Sequence, residues 1–254
     1  MNAETPMKPE TPMYPETPMY PETFVSLLQF SDGLFPVGAY AHSFGLESYV
    51  AAGTIRNASD VQSFLLSYLQ GSIAPTDVVA ALASRKAAQA EPPARMERCL
   101  SIDRSLDAAK SASELRDASR QMGRQVLRIA TNLGEPFAAH GFVPDLFHAV
   151  QNEDTPGHHA MAFGAVGGVL GWPESNIACA YLYSTCAGLV AAALRLLPLG
   201  QLAGQRILWA LGPSIVTLAK EAQRKDISEI WSFAPAIEIA AMRHATLDAR
   251  LFRS

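Results

Sequence analysis

Apolar and polar residues recur with helical spacing through most of the chain after residue 23. The clearest case is Ser113–Thr131, in which apolar residues return every three or four positions and arginines occupy the opposite side. This spacing is that of an amphipathic α-helix with one buried face. The apolar positions are Leu115, Ala118, Met122, Val126 and Ile129, and the arginines are Arg116, Arg120, Arg124 and Arg128.

Alternation of period two is nearly absent, so the pattern predicts no strand and favours an all-α, single-domain bundle of about ten helices over residues 24–254. Prolines, glycines and capping residues mark the expected ends, including a capping box at Ser59-x-x-Gln62. The expected helical segments are Phe24–Phe30, Ser43–Ala52, the stretch after Ser59, Pro75–Ala90, Met96–Leu106, Ser113–Thr131, Pro144–Asn152, His158–Leu170, Glu174–Leu197, Gly200–Leu211, Pro213–Lys225 and Pro235–Leu251.

Residues 1–23 have a different character, because PETPMY-like units repeat there and a proline recurs at every third position from Pro6 to Pro21. Such a segment favours extended polyproline II structure and cannot bury a core. It has neither a cationic start nor an apolar stretch, so it does not resemble a secretory signal. We expect residues 1–23 to form a disordered, proline-rich arm.

The composition is apolar for a chain of this size, with 49% hydrophobic and 17% charged residues and a net charge of −4. The absence of a basic surplus argues against nucleic-acid binding. Residues 177–194 carry no charge and are long enough to span a membrane. A central helix of a helical domain has the same composition, so we favour a buried helix and no membrane, with a small helical membrane protein as a remote alternative.

The three cysteines, Cys99, Cys179 and Cys186, indicate a reducing compartment, here the cytoplasm, rather than a disulfide framework. His158 and His159 are the most obvious metal candidates, but adjacent helical side chains point about 100° apart, and neither HExxH nor CxxC is present. We expect one histidine to pair near the helix start and the other to face solvent. Glycines 164, 167, 168 and 171 lie in an apolar helical stretch and favour close helix packing.

The segment FPVGAYAHSFGLE, residues 35–47, combines conformationally special residues with polar ones. Pro36, Gly38 and Gly45 would shape a loop, and Ser43 would cap the following helix, with Glu47 one turn further. Neighbouring His and Ser side chains diverge, and no G-x-S-x-G motif is present, so the segment does not indicate a nucleophile. Its candidate binding residues are Tyr40, His42, Ser43 and Glu47.

The C-terminus ends in RLFRS, which places Arg250 and Arg253 next to Leu251 and Phe252. Chain ends are usually polar and fray, so this end could dock on a partner or pack back on its own domain. Both alternatives remain open from the sequence.

Five blocks of the chain resemble, in order, the urease accessory protein F (UreF) family. They are FPVGAYAHSFGLE, the ELRDASRQMGR segment Glu114–Arg124, HAMAFG at 159–164, PLGQ with GQR at 198–206, and the RH…RLFRS ending. The third block is similar to a family pattern H-P-x-A-F/Y-G. The proline-rich arm is not part of the resemblance.

The resemblance implies an all-helical, homodimeric protein without catalysis or a resident cofactor or metal of its own. It implies a scaffold that acts with UreD (also called UreH) and the GTPase UreG on apo-urease to promote nickel insertion. One alternative is a factor that modulates GTP hydrolysis by UreG. Another is direct nickel-cation binding by His42, His158, His159 or His244.

On this basis we hypothesise that the 35–47 loop and the C-terminal segment meet at one partner-binding face. Tyr40 would anchor the partner, while His42 and Glu47 would hold the loop. Arginines such as Arg206, Arg250 and Arg253 would pair with acidic groups of the partner.

Overall fold

The computed structural model describes residues 20–244 and 250–253, and every regular element within them is helical. The predicted all-α class and single-domain bundle are therefore confirmed for these residues. The predicted arm falls outside the described residues up to position 19. The α-helices are α1 Pro21–Ser31, α2 Leu46–Ala51, α3 Ala58–Tyr68, α4 Val79–Ala88, α5 Ala94–Ala109, α6 Ser113–Asn132, α7 Phe137–His140, α8 Phe142–Gln151, α9 His159–Val169, α10 Glu174–Leu196, α11 Gln201–Ala222 and α12 Pro235–His244. Short 3₁₀ turns lie at Ala39–Ala41 and Ile227–Glu229.

The core forms where α9 packs between α4 and α6, and where α10 packs against α11. Glycines make the first of these contacts close. A Cβ atom at Gly164 would overlap the Ala81 carbonyl of α4, and one at Gly168 would lie 2.6 Å from the Arg85 oxygen. The expected packing role is therefore confirmed for Gly164 and Gly168, since any larger residue would force the helices apart. It is wrong for Gly171, which lies in the turn after α9, where a Cβ atom would meet no other atom within 4 Å.

The amphipathic prediction for Ser113–Thr131 is also confirmed, because α6 buries Leu115, Ala118, Met122 and Val126. Its arginine side is only partly free. Arg120 bonds the Asp107 carboxylate of α5 at 2.5 and 3.0 Å, so part of the row stabilises the bundle itself.

Two prolines were expected to start helices and instead lie inside them. Pro75 is in a π-helical segment, Leu69–Val78, that joins α3 to α4 without a break. Pro213 lies in the middle of α11. At Pro75 the wider π-helical turn accommodates the ring and the missing N–H. At Pro213 the ring lies on the exposed side of the helix.

Several predicted ends were also wrong. Helix α1 begins at Pro21, so the last three residues of the predicted arm are helical. Asn57, rather than Ser59, caps α3 by accepting a hydrogen bond from the Asp60 N–H. Helix α12 is described over Pro235–His244, and Leu251, at the predicted end, is not helical.

Helix α10 is long and apolar enough to cross a membrane by length and composition. It nevertheless lies within the bundle, and half of its most apolar stretch is buried. Its buried residues include Ile177, Tyr181, Leu189 and Ala193. Core helices of globular domains have this character, so the packing supports the buried-helix interpretation.

Candidate functional site

The 35–47 loop is a compact series of turns between α1 and α2. The Phe35 N–H bonds the Asp32 carbonyl, and the Val37 N–H bonds the Phe35 carbonyl across Pro36. Gly38 and Gly45 have φ values of +84° and +85°, which side-chain-bearing residues rarely adopt. The loop therefore has a defined shape that depends on these glycines.

Contacts with α6 and α12 hold the end of this loop. Phe44 packs against a small cluster formed by Ala112, Leu115 and Ala241. A Cβ at Gly45 would lie 3.1 Å from the Ile237 carbonyl of α12. The end of the loop therefore packs against both α6 and α12, which are distant from it in sequence.

Glu47 is the residue that joins the loop to the C-terminus. It is 7% exposed, and its carboxylate accepts hydrogen bonds from His244 Nε2 at 2.7 Å and from the Leu251 and Phe252 N–H groups at 2.7 and 3.2 Å. The C-terminal segment therefore packs back on its own domain. Its two exposed arginines, Arg250 and Arg253, lie on either side of this anchor.

Ser43 does not cap α2, contrary to the expectation. Helix α2 starts after Gly45, and the Ser43 hydroxyl accepts a hydrogen bond from the Glu47 N–H at 3.4 Å. His42 is buried against Phe44. Burial is the main cause that lowers the pKa of His42 below its usual 6.5, and the nearby Arg253 and His244 lower it further. The neutral form of His42 is therefore favoured at neutral pH.

Arg195, in the last turn of α10, was missed by the sequence analysis. Its guanidinium carbon lies 3.7 Å from the centre of the Tyr40 ring and 4.0 Å from that of Phe252. It also donates a hydrogen bond to the Tyr40 carbonyl at 2.7 Å, while the Arg253 N–H bonds the Ala41 carbonyl at 2.7 Å. The one available signal was its position as the first charge after a long uncharged stretch.

This arrangement presents Tyr40 at the surface. Its side chain is 63% exposed, and Leu251 is 59% exposed. An aromatic side chain that is held in place and exposed is typical of a binding anchor. Arg206 lies on the exposed side of α11, one turn from Trp209.

The other histidines suspected of metal binding are engaged within the fold. His158 is buried and contacts Ser119 Oγ at 3.1 Å and Asp107 at 3.0 Å through its ring nitrogens. Its N–H, together with Thr155 and Gly157, donates to the buried Asp103 carboxylate. His159 packs on Tyr181 and Phe163 rather than facing solvent as expected. Among the described residues, no group of three His, Cys, Asp or Glu side chains is placed to hold a metal ion.

Burial of His159 makes the free energy of unfolding depend on pH. Burial lowers its pKa from 6.5 to about 4, so the unfolded chain takes up the proton first as the pH falls. Stability is therefore present above the unfolded pKa and declines from about pH 7 to about pH 4, by at most about 3 kcal/mol from this residue. The lowered pKa values of His42 and His158 act in the same direction.

We expect urea unfolding of His159→Gln to show a shallower decline over this window than the wild type. The exposed His148 gives the matched control, because His148→Gln should keep the wild-type slope. Equal slopes for all three proteins would contradict the assignment.

Comparison with known proteins identifies relatives over most of the chain. The UreF family model matches residues 55–212. The chain is 32% identical over 228 residues to the urease accessory protein UreF of Corynebacterium glutamicum, covering 90% of this chain and 96% of that protein. The same identity and coverage hold for the urease accessory protein UreF of Geobacillus kaustophilus.

The family match covers helices from α3 to the middle of α11, which include the closely packed α4, α6 and α9. The 35–47 loop and the C-terminal segment lie on either side of the matched residues. From the extent of these similarities, and from the all-helical fold, we conclude that the chain belongs to the UreF family of urease accessory proteins.

Proposed function

We propose that this chain is a non-enzymatic cytoplasmic scaffold for urease maturation. It joins UreD/UreH and the GTPase UreG on apo-urease, so that nickel, as cargo, is inserted into the enzyme. The observation that carries the proposal is the presentation of Tyr40 by Arg195, Glu47 and the C-terminal segment. The surface around Tyr40 is the proposed binding site for the GTPase.

The polar groups around Tyr40 support a binding role rather than a chemical one. The Glu47 carboxylate already accepts three hydrogen bonds, and burial disfavours a charged His42. Groups engaged in this way fix a shape. The exposed Arg250 and Arg253 add positive charge to the C-terminal segment, whose Arg253 N–H bonds the carbonyl of Ala41, the residue after Tyr40. This charge suits an acidic partner surface.

We further propose that the chain acts as a homodimer. Helix α11 exposes Leu202 and Trp209 at 63% and 87%, and Arg206 lies between them. Exposed apolar residues of this size mark interaction surfaces. Arg206 therefore belongs, in this proposal, to a different contact from that of Tyr40.

Tyr40→Ala tests the proposed site. The substitution should reduce co-purification of UreG with the tagged chain by at least about tenfold, as expected for loss of an aromatic hot spot, while the unfolding midpoint changes little. The exposed Tyr183 gives a matched control, since Tyr183→Ala should bind normally. Wild-type recovery of UreG with Tyr40→Ala would contradict the proposal.

A second candidate function rests on the exposed arginines, since an arginine supplied in trans can accelerate GTP hydrolysis. The same preparations separate the two functions. Stimulated GTP turnover that is lost in Arg250→Ala would favour the GTPase-modulating function, and turnover unchanged by the chain would favour the scaffold.

A further inference from the structure

A cavity of about 160 Å³ lies beneath the 35–47 loop. Its walls are mostly apolar, and exposed lining residues, among them Gly33 and Tyr40, place its opening beside the loop. The apolar walls come from five parts of the fold: α1, the loop, the π-helical segment Leu69–Val78, α6 and α10. They include Phe30, Phe35, Val37, Phe44, Met122 and Leu189.

The deeper lining contains a connected group of polar side chains. Lys110 Nζ lies 2.9 Å from Asp77, and the two side chains are 11% and 3% exposed. The Tyr181 hydroxyl donates to Asp77 at 3.3 Å and lies 3.2 Å from His159 Nδ1. All four residues line the cavity, so it has an apolar body and a polar end.

The polar end has no net charge at neutral pH. Lys110 and Asp77 neutralise each other. Burial lowers the pKa of His159 to about 4 and raises that of Tyr181, so both are neutral. A charged ligand would lose its hydration without gaining an unpaired counter-charge, whereas a neutral polar group would meet both donors and acceptors.

We propose that this cavity is a binding site for a small uncharged molecule with a ring or branched-alkyl body and one hydroxyl or amide group. An apolar cavity of about 150 Å³ is sufficient to hold benzene, so the volume fits a single ring. The apolar body would contact the phenylalanines, and the polar group would reach the Lys110–Tyr181 end. The inference does not depend on which partner binds at Tyr40.

Benzyl alcohol is a suitable probe, titrated into the full chain and followed by protein NMR or calorimetry. We expect saturable binding with a dissociation constant on the order of 1 mM, given the small number of ligand atoms. Benzoate and benzylammonium, which keep the ring but carry a charge, should bind at least about tenfold more weakly. Absence of saturable binding, or equal binding of the charged probes, would overturn the proposal.

Gly188 of α10 provides a variant that fills the cavity. It lines the cavity, and a Cβ atom at this position would meet no other atom within 4 Å. Gly188→Leu should therefore fold normally and weaken benzyl alcohol binding at least about tenfold. The control is Gly212→Leu on α11, which has equal free space but lies outside the cavity lining.

Tyr181→Phe should weaken the alcohol several-fold and leave toluene unchanged, since only the hydroxyl contact is removed. If Gly188→Leu and Gly212→Leu bind equally, the probe sits elsewhere and the assignment is wrong. These titrations contain no partner protein, so their failure would leave the proposed scaffold function standing, and failure of Tyr40→Ala would leave the cavity standing.

Discussion

We expect replacement of Glu47 by alanine to release the C-terminal segment from the loop and to abolish the proposed recruitment of UreG. The substitution removes the acceptor of three hydrogen bonds, one from the buried His244 and two from the Leu251 and Phe252 backbone. Removing one partner from a buried, charge-assisted group costs about 3–5 kcal/mol, because the remaining polar groups stay buried without a partner. We expect one of two outcomes. Either the free energy of unfolding falls by about this amount, or the C-terminal segment detaches and the rest of the bundle keeps its stability.

Limited proteolysis distinguishes these two outcomes. Release of the segment predicts early cleavage near residues 250–253 with the bundle intact, and UreG should no longer co-purify. Glu47→Gln keeps one carbonyl acceptor and should show a smaller defect. Glu97 is exposed on α5, so Glu97→Ala is the matched control; a C-terminus equally protected in Glu47→Ala and Glu97→Ala would show that this carboxylate is not the anchor.

Helices whose sequence is strongly amphipathic could be predicted well. Ser113–Asn132 differs from its predicted range at one end by a single residue, because its periodicity records which side is buried. Pro75 and Pro213 misled the prediction, since a proline in the first turn and one in the interior look the same locally. Whether a helix starts at the proline or continues through it depends on how the residues before and after it pack on other helices. The local sequence pattern carries no information about that packing.

The candidate site shows the same division. Gly38 and Gly45 have the left-handed conformation that their setting suggested, because the need for glycine is local. The contact of Glu47 with Leu251 joins residues about 200 positions apart, and that of Tyr40 with Arg195 joins residues 155 positions apart. Such contacts depend on how α10 and α12 pack, so neither Arg195 nor Phe252 could be assigned from its neighbours in sequence.

Arg195→Ala should nearly abolish the proposed recruitment of UreG, although Arg195 holds Tyr40 in place and is not itself placed in contact with the partner. The guanidinium is stacked between Tyr40 and Phe252 and bonds the Tyr40 carbonyl. Two cation–π contacts and a charge-assisted hydrogen bond together stabilise this arrangement by about 2–4 kcal/mol. Without these contacts Tyr40 loses its fixed orientation. Binding must then also order the Tyr40 side chain, and the entropy lost in doing so weakens the affinity.

Arg195→Lys separates orientation from charge. Lysine keeps the positive charge but cannot stack as a plane while donating to the carbonyl, so it should restore recruitment only partly. If Arg195 acts through Tyr40, Arg195→Ala combined with Tyr40→Ala should bind no worse than Tyr40→Ala alone, because the second change removes an interaction already lost. Additive defects would instead mean that Arg195 contacts the partner directly, and full rescue by lysine would mean that its charge, not its geometry, matters.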